Sequence, residues 1–265
     1  MFLAGLIGGF IAGLVGIGGG VVYVFIIPIS LSYIGVPKAE IVQYTIANSM
    51  FAILFASASA NYVLIRLKLF YRKAVLIISL SAIVSSVLVL HFIVNTPWYS
   101  LRVFNIIIVV LLFYMLFTTL RSARKVFVFP LDSLKRWKLA IVGAAGGTIA
   151  ALSGLGGGIV IIPILNSFMK IDMRKASSIS SGVIMLTALT MTLYNLFEKP
   201  VHEFKAYNMG YIIFPIALTL SLGVVIASPF GVKISRKLSS STISYIYAGF
   251  LILVILKKVA ELFHW

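Results

Sequence analysis

The chain reads as an all-α polytopic membrane protein made of two four-segment repeats, inverted relative to each other, with segments one and five broken at glycine-rich re-entrant tips. Three observations predict this. Of 265 residues, 61% are hydrophobic and 11% charged, and the mean hydropathy of +1.13 lies far above that of an ordinary soluble domain. Eight apolar stretches match the roughly 20 residues that span a bilayer as a helix. Finally, IAGLVGIGGGVV at 11–22 returns as IAALSGLGGGIV at 149–160, with eight identities in twelve positions.

The first segment, 2–34, has no basic residues before its apolar run and continues well past a signal-peptide core, so it is read as a membrane segment. It is longer than a span requires, and Gly16, Gly18, Gly19 and Gly20 interrupt its middle, although glycine costs about 1 kcal/mol relative to alanine inside a helix. Segment two, 39–65, is the polar member of the first half, with Gln43, Thr45, Asn48, Ser49 and Asn61. Segments three, 74–94, and four, 99–120, are plain apolar spans. A basic linker, 122–136, then separates a first unit, 1–121, from a second, 137–265.

Segment five, 137–169, repeats the glycine cluster as Gly154, Gly156, Gly157 and Gly158, and its IIP at 161–163 answers IIP at 26–28. Segment six, 176–197, is again the polar one, with Ser177, Ser178, Ser180, Ser181, Thr187 and Asn195. The Lys38-Ala39 and Lys175-Ala176 pairs align, which sets Gln43 opposite Ser180. Segments seven, 207–230, and eight, 240–262, complete the second half.

Charge tests the topology. The net charge of +16 comes from 22 Lys and Arg against 6 Asp and Glu. No basic stripe interleaved with aromatics marks a nucleic-acid surface, so the partner of this charge is the lipid bilayer. Eight full spans put 14 basic residues inside and 8 outside. Re-entrant first and fifth segments put 16 inside and 6 outside, a better fit to the positive-inside rule that also makes the halves inverted. Eight full spans with kinked first and fifth segments remain the alternative arrangement.

Other chemistry is poorly provided for. There is no cysteine, and His91, His202 and His264 are scattered, so no metal centre or cofactor is expected. Glu40, Asp132, Asp172, Glu198, Glu203 and Glu261 all fall at segment ends or in loops, which argues against a mid-membrane carboxylate relay. GIGGG does not follow a strand, lacks the full dinucleotide spacing and has no Gly-Lys-Ser/Thr after it.

Broken backbone is tolerated in hydrocarbon only where protein or a watery cavity covers it, so two matched breaks imply one shared interior. A helix that begins there presents unpaired amides and partial positive charge, an anion site that needs no lysine. Gly18, Gly19, Gly20, Gly156, Gly157 and Gly158, assisted by Gln43, Asn48, Ser180 and Ser181, are therefore the candidate substrate-binding residues. Gly5, Gly8, Gly9, Gly13, Gly143, Gly146 and Gly147 are read as helix-packing contacts.

The duplicated GxGGG element with a following IP pair, in two four-segment halves, resembles the TauE/SafE sulfite exporter family, also called the toluene-sulfonate uptake permease family. The likeness rests on Gly16, Gly18, Gly19, Gly20 and Pro28, and on Gly154, Gly156, Gly157, Gly158 and Pro163. It implies a multi-pass protein of the cell membrane that transports sulfur-containing or organic anions such as sulfite, sulfonates or sulfoacetate. The expected function is secondary transport of such a small anion by alternating access. The alternatives are an anion channel and an intramembrane enzyme using Ser153, for which no mid-membrane His or Lys supplies activation.

Overall fold

The structure, a computed structural model, describes residues 1–96, 98–122, 135–201 and 207–263. Most of the expected linker, together with Asp132, His202, Glu203, Lys205 and His264, lies outside the described residues. The described residues form ten α-helices: α1 Phe2–Val15, α2 Gly20–Tyr33, α3 Ile41–Arg66, α4 Arg72–Val89, α5 Leu101–Ser122, α6 Arg136–Ser153, α7 Gly158–Pro163, α8 Met173–Phe197, α9 Phe214–Ser235 and α10 Ser240–Phe263. Wider helical turns extend α4 through Val94 and α7 through Phe168. Among the described residues, five helical stretches are long and apolar enough to cross a membrane: Lys38–Arg66, Arg72–Val94, Leu101–Arg121, Met173–Phe197 and Phe214–Ser235.

Segments one and five are each two helices. The first break lies between α1 and α2, where Gly16, Gly18 and Gly19 all take positive φ; the second lies between α6 and α7, where Gly154, Gly156 and Gly157 do the same. This backbone is open to glycine and strained for other residues.

Segment seven differs from expectation at its start. Strands β1 Asn208–Met209 and β2 Ile212–Ile213 form a small antiparallel hairpin, and the helix begins only at Phe214 and runs to Ser235. Pro215 in its first turn suits a helix start, where a missing N–H is harmless. The hairpin is held from outside the segment. Asn48 donates to the Tyr211 carbonyl at 3.0 Å and accepts from the Ile213 amide at 2.9 Å.

Packing crosses between the halves. α1 lies along α9 and α6 along α4. A Cβ on Gly5, Gly9 or Gly13 would strike the backbone of Leu220, Val224 or Ser228, and one on Gly143 or Gly147 the backbone of Ile78 or Ala82. These are five of the seven glycines read as packing contacts, Gly8 and Gly146 facing the Tyr23 and Ile161 side chains instead. They let helices approach to backbone contact, where dispersion and weak Cα–H bonds replace the hydrophobic drive that lipid does not supply. The rising order of the partner numbers makes both pairs parallel.

Two opposite ends follow from these contacts. At one, Glu40 accepts the Val201 amide at 2.7 Å and the Tyr211 hydroxyl at 3.2 Å, and Gln43 donates to the Val94 carbonyl at 3.0 Å. At the other, Gly182 abuts Phe70 and Val75, and Arg236 donates to Ser178 at 3.0 Å. This second end carries Arg66, Lys68, Arg72, Lys73, Arg174, Lys175, Lys233, Arg236 and Lys237.

Candidate functional site

Each break reverses the chain by the same local device. α1 ends on Gly16 in the left-handed conformation, its amide bonded to the Ala12 carbonyl at 2.8 Å; α6 ends on Gly154 in the same way, bonded to Ala150 at 2.9 Å. Left-handed glycine is the usual way to close a helix and turn the chain out of its axis. The chain then runs back beside its own helix, since a Cβ on Gly19 would meet the Gly8 carbonyl and one on Gly157 the Gly146 carbonyl. Left-handed Gly19 and Gly157 then start α2 and α7.

The two reversals touch. A Cβ on Gly20 would come within 2.7 Å of Leu155 Cα, and one on Gly158 within 3.0 Å of Ile17 Cα. Ile53 of α3 and Ile184 of α8 flank the junction from the two sides, each lying against both Gly18 and Gly156. Those two helices also pack on each other, and Asn61 donates across the seam to the Ser181 carbonyl at 2.9 Å.

Hydrogen bonding at the junction is incomplete. Among the described residues, the amides of Ile17, Gly18, Gly19, Gly156 and Gly157 donate to no partner. The Tyr23 hydroxyl, beside Gly8 and Gly19, and the Ser180 hydroxyl, beside Gly158, are buried and likewise unpartnered. An unmade bond at a buried polar group costs about 1–3 kcal/mol, so a cluster of unfilled donors is a standing invitation to an acceptor.

The sequence candidates divide. Gly18, Gly19, Gly20, Gly156, Gly157, Gly158 and Ser180 come together at the junction. Gln43 does not; its side-chain nitrogen donates to Val94 at the far end of α4, and its oxygen is buried without a partner there. Asn48 fills its donors and acceptor on Tyr44, Tyr211 and Ile213, which makes it the hairpin clamp. Ser181 faces a separate small space beside Gly13, Gly16 and Arg236. The register that set Gln43 opposite Ser180 also gives way. Ile53 and Ile184 occupy matching places at the junction, and four residues before them stand Ser49 and Ser180. The short turn Lys38–Glu40 that precedes α3 has shifted the Lys-Ala pair out of structural register.

Ser49 was not among the candidates, and it caps the second break by donating to the Gly154 carbonyl at 2.7 Å. Ser177 does the same for the first, donating to Val15 at 2.9 Å. Tyr23, Ile17, Ile53, Leu155 and Ile184 were missed as well, because an apolar residue in an apolar segment carries no signal of which neighbour it meets. At the hairpin, burial and then the Glu40 carboxylate hold the Tyr211 phenol above its ordinary value. Ser153 Oγ donates to Ile149 at 2.6 Å and accepts the Leu155 amide at 3.2 Å, so it acts as a second cap at the break.

Comparison with known proteins covers nearly the whole chain. The model of the sulfite exporter TauE/SafE family matches residues 1–258. A probable membrane transporter protein of Methanocaldococcus jannaschii is 30% identical over 243 residues, 90% of this chain and 86% of that one. One of Haemophilus influenzae is 26% identical over 257 residues, 95% and 94% of the two chains. One of Bacillus subtilis is 31% identical over 130 residues, 46% of this chain and 44% of the other. No solved structure matches.

Proposed function

From the premise that the chain belongs to the TauE/SafE sulfite exporter family and is a multi-pass membrane transporter, we propose that it carries a small sulfur-containing or organic oxyanion, such as sulfite or a sulfonate, by alternating exposure of the junction between its two glycine breaks. The observation that carries this reading is the meeting of two helix-starting reversals whose amides have no partner. Each helix start contributes partial positive charge. Amides and hydroxyls hold an oxyanion more weakly than a fixed lysine would, which suits a site that must also release it.

In this reading the amides of Gly18, Gly19, Gly156 and Gly157 bind the anion, with the hydroxyls of Ser180 and Tyr23 beside them. Gly20 and Gly158 act by keeping side chains out of the contact. The two halves are inverted repeats in the membrane, and the end that carries Arg174 and Arg236 is cytoplasmic by the positive-inside rule. Direct contact between the reversals favours a transporter over an open channel, since an anion passes only when they part. The engagement of Ser153 in two capping bonds supports a role without covalent chemistry.

The test is flux into proteoliposomes with a panel of sulfite, aryl sulfonates, sulfoacetate and carboxylates. Saturable, slow uptake that exchanges with internal anion is expected, lost in Gly19→Val and Gly157→Val. Large ionic currents would identify a channel, and unchanged flux in correctly folded glycine variants would refute the site.

A further inference from the structure

We propose that Arg174 and Arg236, where the start of α8 meets the end of α9, form an oxyanion site at the mouth of a cleft that leads to the first glycine break. That this site loads substrate from the cytoplasmic end rests on the transport reading above.

The two guanidinium groups come from different helices and lie near enough to repel each other. Among the described residues neither is paired with a carboxylate in a salt bridge. The nearest acid, Asp172, is occupied in capping α8, where one oxygen accepts the amides of Arg174 at 2.9 Å and Lys175 at 3.2 Å. Arg174 donates to the Leu238 carbonyl at 3.2 Å, and Arg236 to Ser178 Oγ at 3.0 Å.

Arg236 Nε is buried and donates to nothing. Burial, and then the neighbouring Arg174, pull the Arg236 guanidinium below its ordinary value, with Tyr71 and Asp172 opposing. A half-buried, partly unbonded cation facing a like charge is stabilised most by an anion with several acceptor oxygens, and the planar guanidinium fork suits an oxyanion in particular.

Space and direction agree with that chemistry. Val15, Ser177, Ser235 and the two arginines border a cleft of about 30 Å³, room for roughly two waters. A second small space follows, bordered by Gly13, Gly16, Ser177, Ser181 and Arg236. Ser177 and Arg236 border both, so the polar wall runs from the arginine pair to Gly16, where the first reversal begins. The ligand is a small oxyanion, whose source is either a dissolved anion or a phospholipid headgroup.

The site is tested on the full-length chain in detergent, stripped of lipid, by thermal melting against sodium sulfate with sodium chloride at matched ionic strength as control. Native mass spectrometry after incubation with phosphatidylglycerol runs in parallel. Sulfate stabilisation whose half-effect rises at least about tenfold in Arg236→Gln and in Arg174→Gln, and less in Arg236→Lys, supports a site for dissolved anions. Lipid retention that depends on both arginines supports a headgroup site. If neither ligand responds to any of the three variants, the proposal is overturned.

The loading role is read separately, from the half-saturation for sulfite applied at the arginine-bearing end of oriented proteoliposomes. An increase of about tenfold in Arg236→Gln is expected. An unchanged value, with flux still abolished by Gly156→Ala, overturns the loading role and leaves the transport reading intact. Normal flux in Gly156→Ala overturns the transport reading, while sulfate binding at the arginines remains measurable by melting.

Discussion

Alanine at four chosen glycines separates the cost of left-handed backbone from the cost of lost space, and both from lost function. Gly35 has φ +83° and nothing within 4 Å of a added Cβ, so Gly35→Ala isolates the backbone cost, about 1–2 kcal/mol. Gly156 has φ +88°, with its nearest neighbours, Ile17 O and the Ile53 and Ile184 methyls, all at 3.4 Å, an ordinary contact. Gly156→Ala should therefore lose the same ~1–2 kcal/mol of stability as Gly35→Ala.

Gly18 has φ +90° and Ile53 Cγ2 at 3.1 Å, so Gly18→Ala adds a mild overpacking term, at the low end of the usual 1–3 kcal/mol range. Gly249, in α10, has open space and no positive φ, and Gly249→Ala should gain up to about 1 kcal/mol from helix propensity. Stability is read by denaturant or thermal unfolding in one detergent, and function by anion flux in proteoliposomes. Gly156→Ala and Gly18→Ala should abolish flux, because the added methyl and the shifted backbone cover the unpartnered amides, while Gly35→Ala and Gly249→Ala retain it. Normal flux in folded Gly156→Ala, or equal damage in Gly35→Ala, would refute the reasoning.

Three further outcomes follow from the same geometry. Asn48→Leu should destabilise by roughly 2–4 kcal/mol, because it removes three hydrogen bonds and strands the Tyr211 carbonyl and Ile213 amide; increased proteolysis in the 207–213 hairpin is the companion readout. Ser49→Ala should cost about 1 kcal/mol by uncapping the Gly154 carbonyl, whereas Ser180→Ala, which breaks no bond, should leave the melting temperature nearly unchanged and weaken anion binding. Tyr211 keeps its proton in the folded chain at pH values where the unfolded chain loses it, since its folded value is raised. Its contribution is full below about pH 10 and declines as pH rises towards the folded value, by up to about 1.4 kcal/mol per pH unit; alkaline melting curves of Tyr211→Phe should lack that part of the decline.

Much of the architecture was legible because it follows from local composition. Span-length apolar runs, the interruption of segments one and five, and the polar character of segments two and six need only hydropathy and glycine chemistry to be read. The close-packing glycines were legible too, since small residues at helical spacing have one common use in a membrane. The site was legible in its backbone and poorly in its side chains. Gln43 and Asn48 looked like ligands because they are polar in an apolar helix, yet the Gln43 nitrogen and both ends of the Asn48 amide bond to backbone groups 51 to 165 residues away. The β1–β2 hairpin was missed for a related reason: its anchor, Asn48, belongs to another segment.

The sequence by itself determined that this chain lives in a bilayer and that its two halves share a glycine-rich signature. These properties arise within a few residues of one another along the chain. Only the tertiary structure decided that the two breaks touch through Ile17, Gly20, Leu155 and Gly158, which serines cap them, and that Arg174 meets Arg236. Those pairings bring together residues tens to more than a hundred positions apart, and helix packing across the halves, to which local pattern is blind, sets them.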